Sequence, residues 1–146
     1  MSTWAEFERE APELAASVRD RFGVRKHATM ATLRADGSPR ISGTEVAFSD
    51  GQLVLGSMLN ARKALDLRRD PRVAIHSPTV DPPEDNPSDW AGEAKVSGLA
   101  IELSSEDASH TFHIDLREVV LTRVSADTLA ITSWHEGRGT EVTARS

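Results

Sequence analysis

Apolar and polar residues follow two rhythms along this chain. Near the N-terminus Leu14, Val18 and Phe22 recur every fourth residue, the spacing that puts side chains on one stripe of a helix. Pro12 suits the first turn, where a missing N–H costs nothing, and Gly23 suits the end. The pattern predicts a helix from about Pro12 to Phe22. Ahead of it, Thr3 and Glu6 stand at capping-box spacing, so a shorter helix is predicted to begin at Trp4.

From His27 the rhythm shortens. HATMATLRADGSPRISGTEVAFSDGQLVLGS holds three apolar, β-prone runs separated by ADGS and SDGQ. Both separators carry the Asp-Gly pair that tolerates the backbone of tight hairpin turns, and the expectation is a three-stranded antiparallel meander. NARKALDLRR then reads as a short helix, N-capped by Asn60 and stopped at Asp70-Pro71, after which RVAIHS resumes a strand. Pro78 to Gly92 holds four of the seven prolines without apolar periodicity, which predicts a long surface loop.

A strand follows from Ala94, in which Gly98 marks a bulge or a close approach of another backbone. SSEDASHTFH is expected to form a helix starting at Ser104 or Ser105. REVVLTRVSAD and TLAITSWHEG are expected to pair as a hairpin, and the last ten residues to fray. Six or seven mainly antiparallel strands with small flanking helices define an α+β domain built on a barrel-like sheet. The chain reads as one domain over residues 1–146.

Composition narrows the functions. A formal net charge of -6 over 146 residues gives no basic field for nucleic acid or an anionic membrane surface. No stretch approaches the roughly 18 apolar residues of a membrane span. Cysteine is absent, which removes disulfides and thiolate chemistry and fits a cytoplasmic setting. His76, after an apolar strand, reads as a half-buried strand histidine. His110, His113 and His135 do not fall at metal-ligand spacing with carboxylates, so no metal is expected. No G-x-S-x-G nucleophile elbow occurs.

Against that acidic background, five cations, Arg62, Lys63, Arg68, Arg69 and Arg72, crowd between Leu53 and Ser77. Acidic residues are the usual occupants of a helix's first turn, because free N–H groups and the dipole make that end positive. Here Arg62 and Lys63 stand there instead. An anion such as a phosphate would relieve the repulsion and collect backbone, dipole and side-chain interactions together. The competing reading is a solvated surface pair that makes ordinary ion pairs with Asp66 and Asp70. For Arg68 and Arg69, in the last turn, the ordinary reading holds, since cations suit the dipole there.

ATLRADGSPRISGTEVAF and SMLNARKALDLRRDPRVAI resemble the pyridoxamine 5′-phosphate oxidase-like split β-barrel family, including its flavin- and deazaflavin-dependent oxidoreductases. The resemblance runs over about residues 24 to 103. It implies an FMN-binding type of split barrel that assembles as a homodimer, with FMN or the deazaflavin coenzyme F-420 at the interface. Position by position it implies a hydroxyl contact from Ser57, an adjoining contact from Met58 and phosphate contacts from Arg62 and Lys63. The strand PRISGTEV would line the cofactor through Arg40 and Ser42. Trp90 falls where deazaflavin-binding relatives place an aromatic near the ring; packing against the barrel or a partner is the alternative.

Two departures bear on the reaction. The oxidase proper has an arginine where Ser42 stands, and its C-terminal Arg-x-His pattern is missing, so oxidation of pyridoxamine phosphate itself is not implied. The resemblance instead implies hydride transfer between the cofactor and a small conjugated organic substrate. A non-catalytic protein that binds or carries flavin or heme on the same fold is the alternative, and the two would share one phosphate grip.

Overall fold

The computed structural model describes residues 1–103 and 109–146. Two helices open the chain, α1 (Trp4–Glu10) and α2 (Pro12–Gly23). Thr3 caps α1, its Oγ1 accepting from the Glu6 N–H at 3.1 Å. Leu14, Val18 and Phe22 form the buried stripe of α2, as their spacing predicts. Trp4 and Phe7 of α1 pack ring to ring, 5.1 Å between centroids, and Trp4 also meets Phe48 edge-on at 4.6 Å.

Nine strands follow among the described residues: β1 (Ala28–Leu33), β2 (Pro39–Thr44), β3 (Val46–Ser49), β4 (Gln52–Met58), β5 (Arg72–His76), β6 (Glu93–Leu103), β7 (Ser109–Ser125), β8 (Thr128–His135) and β9 (Gly139–Arg145). Helix α3 (Arg62–Arg69) lies between β4 and β5. All pairings among the described residues are antiparallel, in the order β2-β1-β5-β6-β7-β4-β3, with β8 added along the far half of β7 and β9 paired to the outer edge of β8. Strands β2 and β3 stand at opposite ends of that order yet are separated in sequence only by Glu45. The sheet therefore curls until its ends meet, giving the α+β barrel-like sheet that the pattern predicted in the split form that the resemblance implied, with nine strands among the described residues where six or seven were expected. Leu53, Leu55, Ile75, Val96, Phe112, Ile114 and Val119 fill its interior.

The expected three-stranded meander is corrected: β1–β2 and β3–β4 are two separate hairpins, and β2 does not pair with β3. Both turns do use their Asp-Gly pairs. At Asp50 and Gly51, φ is 53° and 73°, the two left-handed residues of a tight type I′ turn. Asn60 is not the N-cap of α3. Ala61 is, without a side-chain cap, while Asn60 takes a left-handed φ of 59°, a conformation asparagine tolerates better than most residues.

Three further expectations concern the C-terminal half. The start of the helix expected at Ser104 or Ser105 lies outside the described residues, and from Ser109 onward the chain is strand β7, not helix. Here His110, Phe112 and Ile114 alternate inward with period two, and that alternation defeats a helical reading. The last ten residues do not fray as expected, because β9 pairs with β8 from Gly139 to Arg145. Gly98 serves both roles foreseen for it. The register shifts between Ser97 and Gly98, and a Cβ on Gly98 would lie 2.0 Å from the Asp115 carbonyl oxygen.

Candidate functional site

The basic corner is the passage from β4 into α3. Along β4, Leu53, Leu55 and Ser57 alternate on the inner face while Gly56 and Met58 face out, so Ser57 sits half-buried at the barrel rim and Met58 is 81% exposed. After the left-handed turn at Asn60, α3 starts with Arg62 and Lys63, has no acidic residue in its first turn and has no side-chain cap. The first N–H groups of any helix lack intrahelical acceptors. At this corner they coincide with two cations.

The five cations of the segment separate by partner. Arg68 grips Glu102 on β6 through Nε and Nη2 at 2.8 and 2.9 Å. Arg69 donates to the Leu33 carbonyl at 2.6 Å and to Asp66 at 3.0 Å, and Arg72 forks onto Asp70 with a shortest contact of 2.7 Å. Lys63 reaches across to β2, Nζ donating to the Gly43 carbonyl at 2.7 Å. Partial burial lowers its ammonium below the ordinary lysine value. Arg62 is exposed and has no ion-pair partner among the described residues.

Asp66 anchors the inner side of α3. It is 2% exposed and accepts from Thr32 Oγ1 on β1 and from Arg40 Nε on β2, both at 2.7 Å, besides Arg69. Burial alone would raise the Asp66 carboxyl; the hydrogen bonds from Arg40, Thr32 and Arg69 outweigh it and hold the group below its usual value. The same bonds fix the helix against the sheet. Ser42 shares the β2 face of Arg40, two residues on, and is half-buried.

Ser57, Met58, Arg62 and Lys63 thus share one corner, and Lys63–Gly43 and Arg40–Asp66 tie the Arg40–Ser42 strand to it. Trp90 belongs to a different assembly. Half-buried at the end of a 3-10 turn, Pro87–Asp89, it donates Nε1–H to the Val80 carbonyl at 2.6 Å and closes its own loop. No described hydrogen bond joins it to the corner.

Sequence reasoning missed one buried polar residue beside the corner. His110, across from Ser57 in the β4–β7 register, is 3% exposed, with Nε2 3.1 Å from the Asn60 backbone nitrogen and Nδ1 3.0 Å from Glu102 Oε2. Hydrogen bonds from Arg68 and then His110 push the Glu102 carboxyl down to about 2. Period-two alternation with Phe112 could have found it, had the segment been read as a strand.

Strand order and closure define a split β-barrel. The family model described as pyridoxamine 5′-phosphate oxidase matches residues 14–126, and the chain belongs to that family. No curated protein matches it in sequence. Among solved structures it is similar to a pyridoxamine 5′-phosphate oxidase-related, FMN-binding protein from Nostoc punctiforme PCC 73102, at 10% identity over 93% of this chain and 96% of that one, TM-score 0.67. PhzG from Burkholderia lata 383, in complex with tetrahydrophenazine-1-carboxylic acid, is similar at 12% identity over 91% and 88%, TM-score 0.66. An F-420 reductase is similar at 15% identity over 69% and 94%, TM-score 0.53. At these identities the likeness is one of fold.

Proposed function

We propose that the β4–α3 corner grips the phosphate of a flavin-type cofactor, FMN or coenzyme F-420, and that the protein is an oxidoreductase acting on a small conjugated organic substrate. The observation that carries this reading is Arg62. It is the one cation of the cluster with neither a carboxylate nor a carbonyl partner among the described residues, and it stands at a helix start that has neither acid nor cap. A phosphate there would satisfy the N–H groups of the first turn and Arg62 at once. Lys63 and the Ser57 hydroxyl would add donors from either side.

When bound, the cofactor supplies the hydride chemistry, and the chain orients it and keeps water from the reacting face. Asp66 holds α3 rigid against β1 and β2, so the grip would be presented at a fixed angle to the strand carrying Arg40 and Ser42. Trp90 would cover the ring from its loop.

The outer face of β2, β1, β5 and β6 carries a shallow groove of about 250 Å³ in which Ile41, Ala31 and Ala74 meet Thr29 and Ser97. Ile41 is 76% exposed, and a second copy of the chain would cover it. A twofold homodimer through this face would enclose a cofactor that one thin barrel wall leaves open. Titration of the purified protein with FMN and with coenzyme F-420, read by absorbance and fluorescence, tests binding. Turnover of a reduced cofactor with unsaturated acceptors then separates an enzyme from a carrier on the same fold.

A further inference from the structure

We propose that His110 is a positioning residue for the corner, setting how strongly the site prefers a phosphorylated cofactor over its phosphate-free form. The inference rests on the phosphate reading above and adds a residue that nothing in the cation pattern identifies. A backbone N–H can only donate, so the 3.1 Å contact from the Asn60 nitrogen makes His110 Nε2 an acceptor. The ring proton is then on Nδ1, pointing at Glu102 Oε2 3.0 Å away.

Glu102 cannot turn aside to follow another partner, because Arg68 holds both of its oxygens at 2.8 and 2.9 Å. Arg68 belongs to the last turn of α3 and Asn60 immediately precedes its N-cap. The relay Asn60–His110–Glu102–Arg68 therefore leaves the helix at one end, crosses β7 and β6, and returns to its other end. Around the ring, Phe112 stacks at 6.4 Å and Ser57 is the register neighbour on β4.

The consequence concerns direction. Asn60 is the left-handed residue at which the chain turns from strand into helix, with φ 59°. If its N–H lost the buried acceptor, that group would be left unsatisfied, and the turn would open to reach another partner. The N–H groups of Arg62 and Lys63 follow directly, and their directions would shift with the turn. A phosphate bound by several converging donors feels that change, whereas a ring system bound elsewhere does not.

The test compares His110→Gln, whose side-chain oxygen can still accept from Asn60, with His110→Leu, which cannot. FMN is titrated against riboflavin, and coenzyme F-420 against its phosphate-free deazaflavin, with a thermal melt of each variant. Wild-type protein should prefer the phosphorylated form; His110→Leu should lose about tenfold for it, the cost of one misplaced charged hydrogen bond, with the phosphate-free form unchanged. His110→Gln should stay close to wild type. Nitrogen-15 NMR of the wild-type ring should report the proton on Nδ1.

A leucine variant that keeps the full preference, or loses both forms of cofactor equally, overturns the inference, as does a proton on Nε2. If wild-type protein shows no preference for phosphate, or binds neither cofactor, the corner reading falls and this inference with it. The two failures are told apart by the wild-type titration.

Discussion

Asp66 on α3 and Arg40 on β2 meet at 2.7 Å, and this pair joins the helix that starts at the basic corner to the strand expected to line the cofactor. Arg40 Nε is spent on that tie, so any contact from Arg40 to a cofactor would come from its other nitrogens. Thr32 and Arg69 complete the set around a carboxylate that is 2% exposed. Removing Asp66 strands two donors and a half-buried guanidinium. Asp66→Ala should therefore cost about 3–5 kcal/mol, as for other broken buried pairs. Arg40→Ala, which leaves Asp66 two partners, should cost about 1.5–3 kcal/mol. Urea unfolding checks both, and equal losses would contradict the hub.

Acid should destabilise the fold through the same carboxylates. Asp66, Asp70, Glu102 and Asp115 all sit below their ordinary values of 3.8 or 4.5, with Asp70 and Glu102 down at about 2. As pH falls through that range the unfolded chain takes up protons first, so the stabilisation present above about 4.5 drains away towards 2. Denaturant midpoints measured from neutral pH downward should be flat and then fall, and Glu102→Gln should shallow the fall. A midpoint that rises with acid would contradict the assignment.

Trp90 should be the tryptophan that an aqueous quencher reaches. Trp4 and Trp134 are 2% and 0% exposed, whereas Trp90 is half-buried in its loop. Iodide should quench a component that is absent from Trp90→Phe, and bound cofactor should protect it if the loop covers the ring. Undiminished iodide quenching in the cofactor-saturated protein would count against the cover.

Ile41 tests assembly. A charge placed in the outer groove, as in Ile41→Asp, should shift sedimentation towards monomer across a dilution series and weaken cofactor binding in step, since the two are linked by mass action. A monomer that retains full affinity would dissociate the site from the interface.

Much of the barrel was legible because its cues are local. The Asp-Gly pairs marked the two tight turns, though not that they close separate hairpins, the spacing of Leu14, Val18 and Phe22 marked α2, and Gly98 marked a bulge and a close backbone approach, which is that of Asp115. What stayed hidden depends on contacts far along the chain. SHTFHIDL reads as helix or strand alike until β4 and β6 take its two edges, and His110 becomes interior only then. Asn60 looked like a cap because asparagine favours both caps and left-handed turns; the His110 acceptor, fifty residues on, goes with the second. The cation cluster was visible as such, but only folding sorts Arg68, Arg69 and Arg72 into structural pairs and leaves Arg62 without one among the described residues.

That remainder gives the most direct measurement. The dissociation constants of FMN and coenzyme F-420 should be determined for the wild-type protein, Arg62→Ala and Lys63→Ala, alongside their melting temperatures. Each substitution should weaken binding of the cofactor that the protein takes by about 1.5–3 kcal/mol, the range for hydrogen bonds to a charged group. Arg62→Ala should melt with the wild type, and Lys63→Ala slightly lower for want of its bond to Gly43. Unchanged dissociation constants in both variants would contradict the phosphate corner and return Arg62 to the solvated surface.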